Sequence, residues 1–286
     1  MKYKLPIIFS LILLIIFFVS FQYFITIPQN ILGADNPGTS IKGYWPLEEG
    51  TGSTTLDYSG NGNTGTLTNF SNPGTDGWTT NGKKGNAVIF DGVNDYVAVT
   101  DPGTGSVLDF SNGSSITITA WTNLYNSATT TGRFPYIVSK GRTLTSVATN
   151  QNYGLRLNDV TATTADVNFL YRNSANTAWN RWASTAVLTK NSGWHHVAFV
   201  YTFGTAGSAV AYIDGVLSGG TWNLGTGADV PLQDNDALWI GSSLNTATNA
   251  NFIGLLDEVR IYNRVLSLSE IQTLFGRTSR GHGVSR

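Results

Sequence analysis

Between residues 42 and 276 apolar and polar positions alternate in short runs. Ser115-Ile116-Thr117-Ile118-Thr119-Ala120-Trp121 sets apolar residues against Ser and Thr, the period-two pattern of a half-buried strand. Similar runs are Ala87–Phe90, Asp95–Val99, Phe134–Ser139, Tyr153–Leu157, Val167–Tyr171, His195–Thr202, Ala209–Ile213, Ala237–Ile240 and Ile253–Tyr262. Clusters of Gly, Asn, Asp, Ser and Thr separate them and supply turn conformations. Asp214-Gly215 lies between two apolar runs and signals a hairpin. One helical pattern occurs. Ser267-Leu268-Ser269-Glu270 reads as a capping box, followed by Ile271, Leu274 and Phe275 at helical spacing and by Gly276. Its apolar face is expected on the edge of the sandwich. The prediction is an all-β, two-sheet antiparallel jelly-roll sandwich with one short C-terminal helix.

The N-terminus follows another rule. Leu5 to Ile27 carries no charge and follows Lys2 and Lys4. As a helix this run spans about 34 Å, enough for a bilayer core. Residues 1–34 therefore read as a transmembrane anchor or a signal peptide cleaved near Ala34. Either places residues 35–286 outside the cytoplasm. Residues 35–41 read as a linker, 42–276 as the sandwich and 277–286 as a polar tail.

Composition narrows the function. The 286 residues carry 17 Lys plus Arg, 18 Asp plus Glu, a net charge of −1 and no Cys. A chain with so few, balanced charges offers no basic stripe for nucleic acid. Without Cys there is no disulfide framework and no thiolate metal site. An exported chain of this kind must rely on core size or a metal.

Five segments occur in fixed order: GYWPLEEGTG (43–52), DYSGNGNTG (57–65), FDGVNDYVAV (90–99), GWHHVAFVY (193–201) with AYIDG (211–215), and LDEVRIYNRVLSLSEI (256–271). Together they resemble the laminin-G-like branch of the concanavalin A-like lectin/glucanase superfamily. The resemblance implies a jelly roll, a role in binding carbohydrate or protein, and in several relatives one calcium ion.

Asp57-Tyr58-Ser59-Gly60-Asn61-Gly62-Asn63 sets oxygen-bearing side chains at alternate positions, like the opening of an EF-hand loop, but Thr68 stands where that loop needs Glu. A further carboxylate is required. In Ile253–Ile261 alternation puts Asp257 on a face with Ile253, Leu255, Val259 and Ile261, which should point inward. The resemblance favours Asp57 and Asp257 as calcium ligands, completed by Asn61 or Asn63. A metal-free alternative is an Asx-type turn at Asp57, with Asp257 accepting loop N–H groups.

No E-x-D-x-E strand pattern is present, and Glu48-Glu49 and Asp257-Glu258 are adjacent pairs that an extended chain sends opposite ways. His195 and His196 likewise diverge on a strand. The reading is non-catalytic. For a sugar, Trp179-Asn180-Arg181-Trp182 offers aromatic faces and polar hydrogen-bonding groups, placed in a loop or hairpin tip, with Tyr171 beside it. The competing reading makes these aromatics core. The function expected is an exported, cell-surface binding module for a glycan, calcium-stabilised. The alternatives are a structural or adhesive domain contacting a surface protein, or an accessory module of a glycoside hydrolase system.

Overall fold

A computed structural model describes residues 40–71, 77–103, 105–126, 132–142, 150–243 and 248–276. The chain divides into two units, Met1–Asn36 and Pro37–Arg286, and every described residue belongs to the second. The expected helix at 5–27, the possible cleavage point at Ala34, residues 35–39 of the linker and the tail 277–286 lie outside the described residues. Among the described residues no helix is long and apolar enough to cross a membrane.

The strands are β1 (Ile41–Trp45), β2 (Thr54–Thr55), β3 (Gly65–Thr68), β4 (Gly77–Thr79), β5 (Ala87–Asp91) and β6 (Tyr96–Val99). Then come β7 (Ser115–Leu124), β8 (Tyr136–Gly141), β9 (Gln151–Asp159), β10 (Thr164–Arg172), β11 (Trp179–Thr189) and β12 (His195–Thr202). The last are β13 (Val210–Ile213), β14 (Val216–Ser218), β15 (Gly220–Leu224), β16 (Leu238–Ile240) and β17 (Ile253–Tyr262), followed by α1 (Leu268–Gly276). They form two antiparallel sheets. The first runs β14-β13-β12-β7-β17-β5-β4, with β1 paired to the second half of β17. The second runs β15-β11-β10-β9-β8-β16-β6-β3-β2. The all-β, two-sheet expectation with one C-terminal helix therefore holds for the described residues.

Alternation decides which side chains meet between the sheets. Phe169 of β10 stacks on Phe199 of β12 with ring centroids 4.4 Å apart, and both are fully buried. Trp45, Val97, Ile118, Leu155, Val197 and Ile261 extend that core. Burial of this much apolar surface, at roughly 25 cal/mol per Å², is the main stabilising force in a chain without disulfides. Asp214 and Gly215 have φ of 52° and 72° between β13 and β14, the two left-handed residues a tight hairpin turn requires. The cap is also as expected: Ser267 Oγ accepts the Glu270 amide at 3.3 Å and Glu270 Oε2 accepts the Ser267 amide at 2.7 Å. Helix α1 does not sit on an edge, however. Ile271 and Leu274 pack on Ala198, Val200, Tyr212 and Tyr262, the outer face of the first sheet.

Buried charge occurs at one end of β8. Lys140 is fully buried and its Nζ lies 2.7 Å from Asp101, 3.0 Å from Asp109 and 3.2 Å from Asp234. Burial pushes Asp109 and Asp234 up against the pull of Lys140.

Candidate functional site

Three places on the sandwich gather chemistry. The first is a carboxylate cluster. Strand β17 carries a bulge between Asp257 and Arg260, and Glu258 sits at φ 55°. The bulge breaks the alternation assumed from sequence. Leu256, Val259 and Ile261 point into the core. Asp257 instead pairs across with Trp121, which pairs with His196, and both of those rings meet Phe275 of α1. Asp257 is therefore on the outer face, not the inner one. It is still 0% exposed, because Glu48 and the turn at residues 82–86 cover it. The Lys84 amide donates to Asp257 Oδ2 at 2.9 Å and the Asn86 amide to Glu48 Oε2 at 2.8 Å. Gly85, at φ 67°, lies so close to Glu48 that a Cβ there would stand 2.2 Å from Oε2.

One oxygen each from Glu48, Asp257 and Glu258 lie within 4.8 Å of one another. Glu258 is already partnered, by Tyr44 Oη at 3.0 Å, Lys84 Nζ at 3.4 Å and Arg260. Burial opposes its charge, yet Arg260 and Lys84 hold it below the usual carboxylate value. Asp257 has no such partner, and its Oδ1 is buried without a hydrogen bond. Burial, with the Glu258 and Glu48 charges, pushes it up to about 8 against the Lys84 and Glu258 amides. An orphaned buried carboxylate oxygen costs about 1–3 kcal/mol. A hard cation would relieve it: oxygens up to about 4.8 Å apart can share one ion at ~2.4 Å.

The structure places Asp57 and Asp257, grouped from sequence as calcium ligands, in separate networks. Asp57 belongs to another structure. Its Oδ1 accepts the Tyr44 and Ser59 amides at 3.0 and 2.8 Å, and its Oδ2 accepts the Asn63 amide and Ser59 Oγ at 2.9 and 2.8 Å. Asn61 and Asn63 donate to the carbonyls of Ile41 and Lys42. Four donors satisfy the Asp57 carboxylate, so the Asp57–Asn63 loop is an Asx-type turn clasping β1. Glu48 is the residue that sequence reasoning missed.

The second place is a recess of about 290 Å³, lined by Phe134, Arg142, Arg156, Asn158, Leu170, Trp179, Arg181 and Leu224. Residues 179–182 are strand, not loop, so they divide by alternation. Trp179 and Arg181 face out, opposite Arg172 and Leu170 of β10. Asn180 and Trp182 face in, which removes both from the expected ligand set. Trp182 is packed at 5.2 Å on Phe199, and the buried Asn180 accepts the Thr226 and Gly227 amides and donates to Asp229. Tyr171 is also core, its hydroxyl 3.2 Å from that of Tyr201 and 3.0 Å from the Asp229 carbonyl.

The recess is rich in guanidinium groups. Arg172 lies over the Trp179 ring at 4.9 Å and Arg142 at 5.6 Å. Arg156 lies 4.6 Å from the Phe134 centroid. Arg142 holds φ 75° directly after Gly141 at φ 89°, a conformation that costs a non-glycine residue about 1 kcal/mol. That strain projects its side chain onto Tyr136, whose hydroxyl is 3.2 Å away.

A third constellation has the connectivity of a catalytic triad. Ser192 Oγ is 2.7 Å from His195 Nε2, and His195 Nδ1 is 2.7 Å from Asp214 Oδ2. Ser192 Oγ, however, donates its proton to the Thr189 carbonyl at 2.6 Å. The bond to Asp214 raises His195 above its ordinary value. The three side chains thus form a hydrogen-bonded clasp between the start of β12 and the β13–β14 turn.

Residues 91–272, more than half of the chain, match the family model described as the concanavalin A-like lectin/glucanases superfamily. The chain belongs to that superfamily. No curated protein matches it. Among solved structures, the binding domain of Paraclostridial Mosquitocidal Protein 1 is 16% identical, with a TM-score of 0.59 over 82% of this chain and 52% of that one. The binding domain of botulinum neurotoxin serotype G is 15% identical, with a TM-score of 0.53 over 82% of this chain and 50% of that one. Domain 4 of an extracellular arabinanase from Geobacillus stearothermophilus is 22% identical, with a TM-score of 0.47 over 82% and 98%. The chain spans about half the length of the two toxin domains. At this identity the toxin domains establish the superfamily fold alone.

Proposed function

We propose that this chain is a non-catalytic carbohydrate-binding module displayed outside the cytoplasm. The observation that carries the reading is Trp179, half-buried on an open sheet face beside Arg181 and Asn158. An aromatic face takes the apolar side of a pyranose, and the neighbouring amide and guanidinium groups take its hydroxyls. The toxin neighbours, named as binding domains, are in keeping with a binding role. A glycan array probed with the full-length protein tests it: binding to a subset of glycans, lost in Trp179→Ala, supports the module. Silence across the array moves the assignment to an adhesive domain contacting a surface protein.

Calcium is the second part of the proposal. Glu48, Asp257 and Glu258 supply oxygens of the hardness that calcium prefers, and the orphaned Asp257 oxygen is what a cation would satisfy. At a Kd of about 10⁻⁴ M, 2 mM calcium would add roughly 1.8 kcal/mol. Equal melting points in calcium and in chelator, with no metal bound, would refute it. Residues 5–27 would anchor the module in a membrane or direct its export, which protease accessibility on intact cells tests.

A further inference from the structure

The recess that the proposed function assigns to sugar has a charge that a neutral sugar does not need. Arg142, Arg156 and Arg181 line one cavity, and among the described residues no ion pair joins any of them to a carboxylate. Arg156 is 6% exposed, and its Nε has no hydrogen-bond partner. Burial and the adjacent Arg181 and Arg142 charges lower its affinity for its own proton, with Tyr136 acting the other way. Asp166 is the carboxylate that interacts with Arg156, and its Oδ1 already accepts the Asn158 and Asn168 amides at 2.9 and 3.0 Å. Arg172 is separately committed, to Asn176. Arg181 spends one nitrogen on Asn223 at 2.7 Å and keeps its terminal nitrogens.

Three like charges folded into one recess of a chain with net charge −1 repel one another, and most strongly around the desolvated Arg156. A fork of guanidinium donors matches a planar carboxylate or a sulfate ester. We infer that the recess binds an acidic saccharide, with Trp179 against the sugar ring and the anionic substituent held by Arg156, Arg142 and Arg181. This rests on the carbohydrate reading of the same site and adds the sign of the ligand's charge.

The test titrates the full-length protein by calorimetry with three probes: trigalacturonate for the carboxylate, a sulfated chondroitin tetrasaccharide for the sulfate ester, and neutral galactotriose. The expected result is at least one acidic probe binding about tenfold or more tighter than the neutral one. That margin should shrink as salt rises from 50 to 500 mM. The tighter acidic probe identifies the anion. Arg156→Gln should reduce acidic binding to the neutral level. Arg181→Gln, at a half-exposed position, should do so partly with an unchanged melting point, which keeps the test valid if Arg156→Gln fails to fold. Trp179→Ala should weaken all probes. Neutral binding equal to acidic binding and indifferent to Arg181→Gln would overturn the inference and leave the carbohydrate reading standing. Absence of binding to all three probes, and to an array of neutral and acidic glycans, would overturn both.

Discussion

The outer face of the first sheet gathers Glu48, Asp257 and Glu258 beneath residues 82–86, whereas the outer face of the second gathers Arg142, Arg156 and Arg181 around Trp179. Both clusters bring groups of like charge together, but they differ in cover. The acidic one is closed: Asp257 is inaccessible and the Lys84 amide is bonded across it. The basic one is open to solvent through a recess. A closed cluster of carboxylate oxygens suits a small ion that stays with the fold. An open site of surplus positive charge suits a larger ligand that comes and goes. Under the proposed function the two clusters would serve stability and recognition separately.

The largest expected effect falls on what lies beneath both faces. Phe169→Ala should remove about 4 kcal/mol and lower the melting temperature by about 10 °C, weakening metal and sugar binding together. If either response survives unchanged, the two faces do not share a core.

The next effect separates them by pH. Between the ordinary carboxylate value near 4 and about 8, the folded chain holds a proton on Asp257 that the unfolded chain has released. Without metal, stability from this group is full below pH 4 and falls as pH rises to about 8. Calcium should restore it, most strongly at the top of that window. Asp257→Asn should stabilise the metal-free protein at pH 8 by about 2 kcal/mol and abolish the calcium response, with sugar affinity unchanged. Buried His196, held neutral with a value lowered to about 3, acts oppositely, costing stability as pH falls below about 6.5. Thermal melts across pH 4–9, with calcium and with chelator, resolve the two.

Trp179→Ala should weaken sugar binding about tenfold, roughly 1.4 kcal/mol, and leave the calcium-dependent melt intact. Ser267→Ala should be the smallest, about 1 kcal/mol from the lost cap of α1. It should change neither ligand response, and calorimetry of both variants checks this.

Most of the strands were legible because their alternation is uninterrupted. β7, β9, β10 and β12 each read directly from the residues. β11 was not, since Asn, Ser and Thr around Trp179 and Trp182 look like a turn. Its strand character comes from pairing with β10 and β15. The sidedness of Asp257 was misread because a single bulge at Glu258 reverses parity without leaving a mark in composition. Glu48 and Asp257 are distant in sequence, and only β1, the 82–86 turn and β17 together bring them close. The recess draws its arginines from β9, β11 and the end of β8, so its charge is visible only once register is known. One signal was available: Arg156 and Asn158 alternate with Leu155 and Leu157, which already sets them on the face away from the core.

Lys140 and its three aspartates carry a consequence for how the chain assembles. An ammonium group can leave water here only in company with its counter-charges. Segments near 101, 109 and 234 must therefore dock on β8 in concert, and any one detaching strands a desolvated ion among the others. Hydrogen-exchange protection in these segments should accordingly be lost in a single opening, marking this end of the sandwich as one cooperative block.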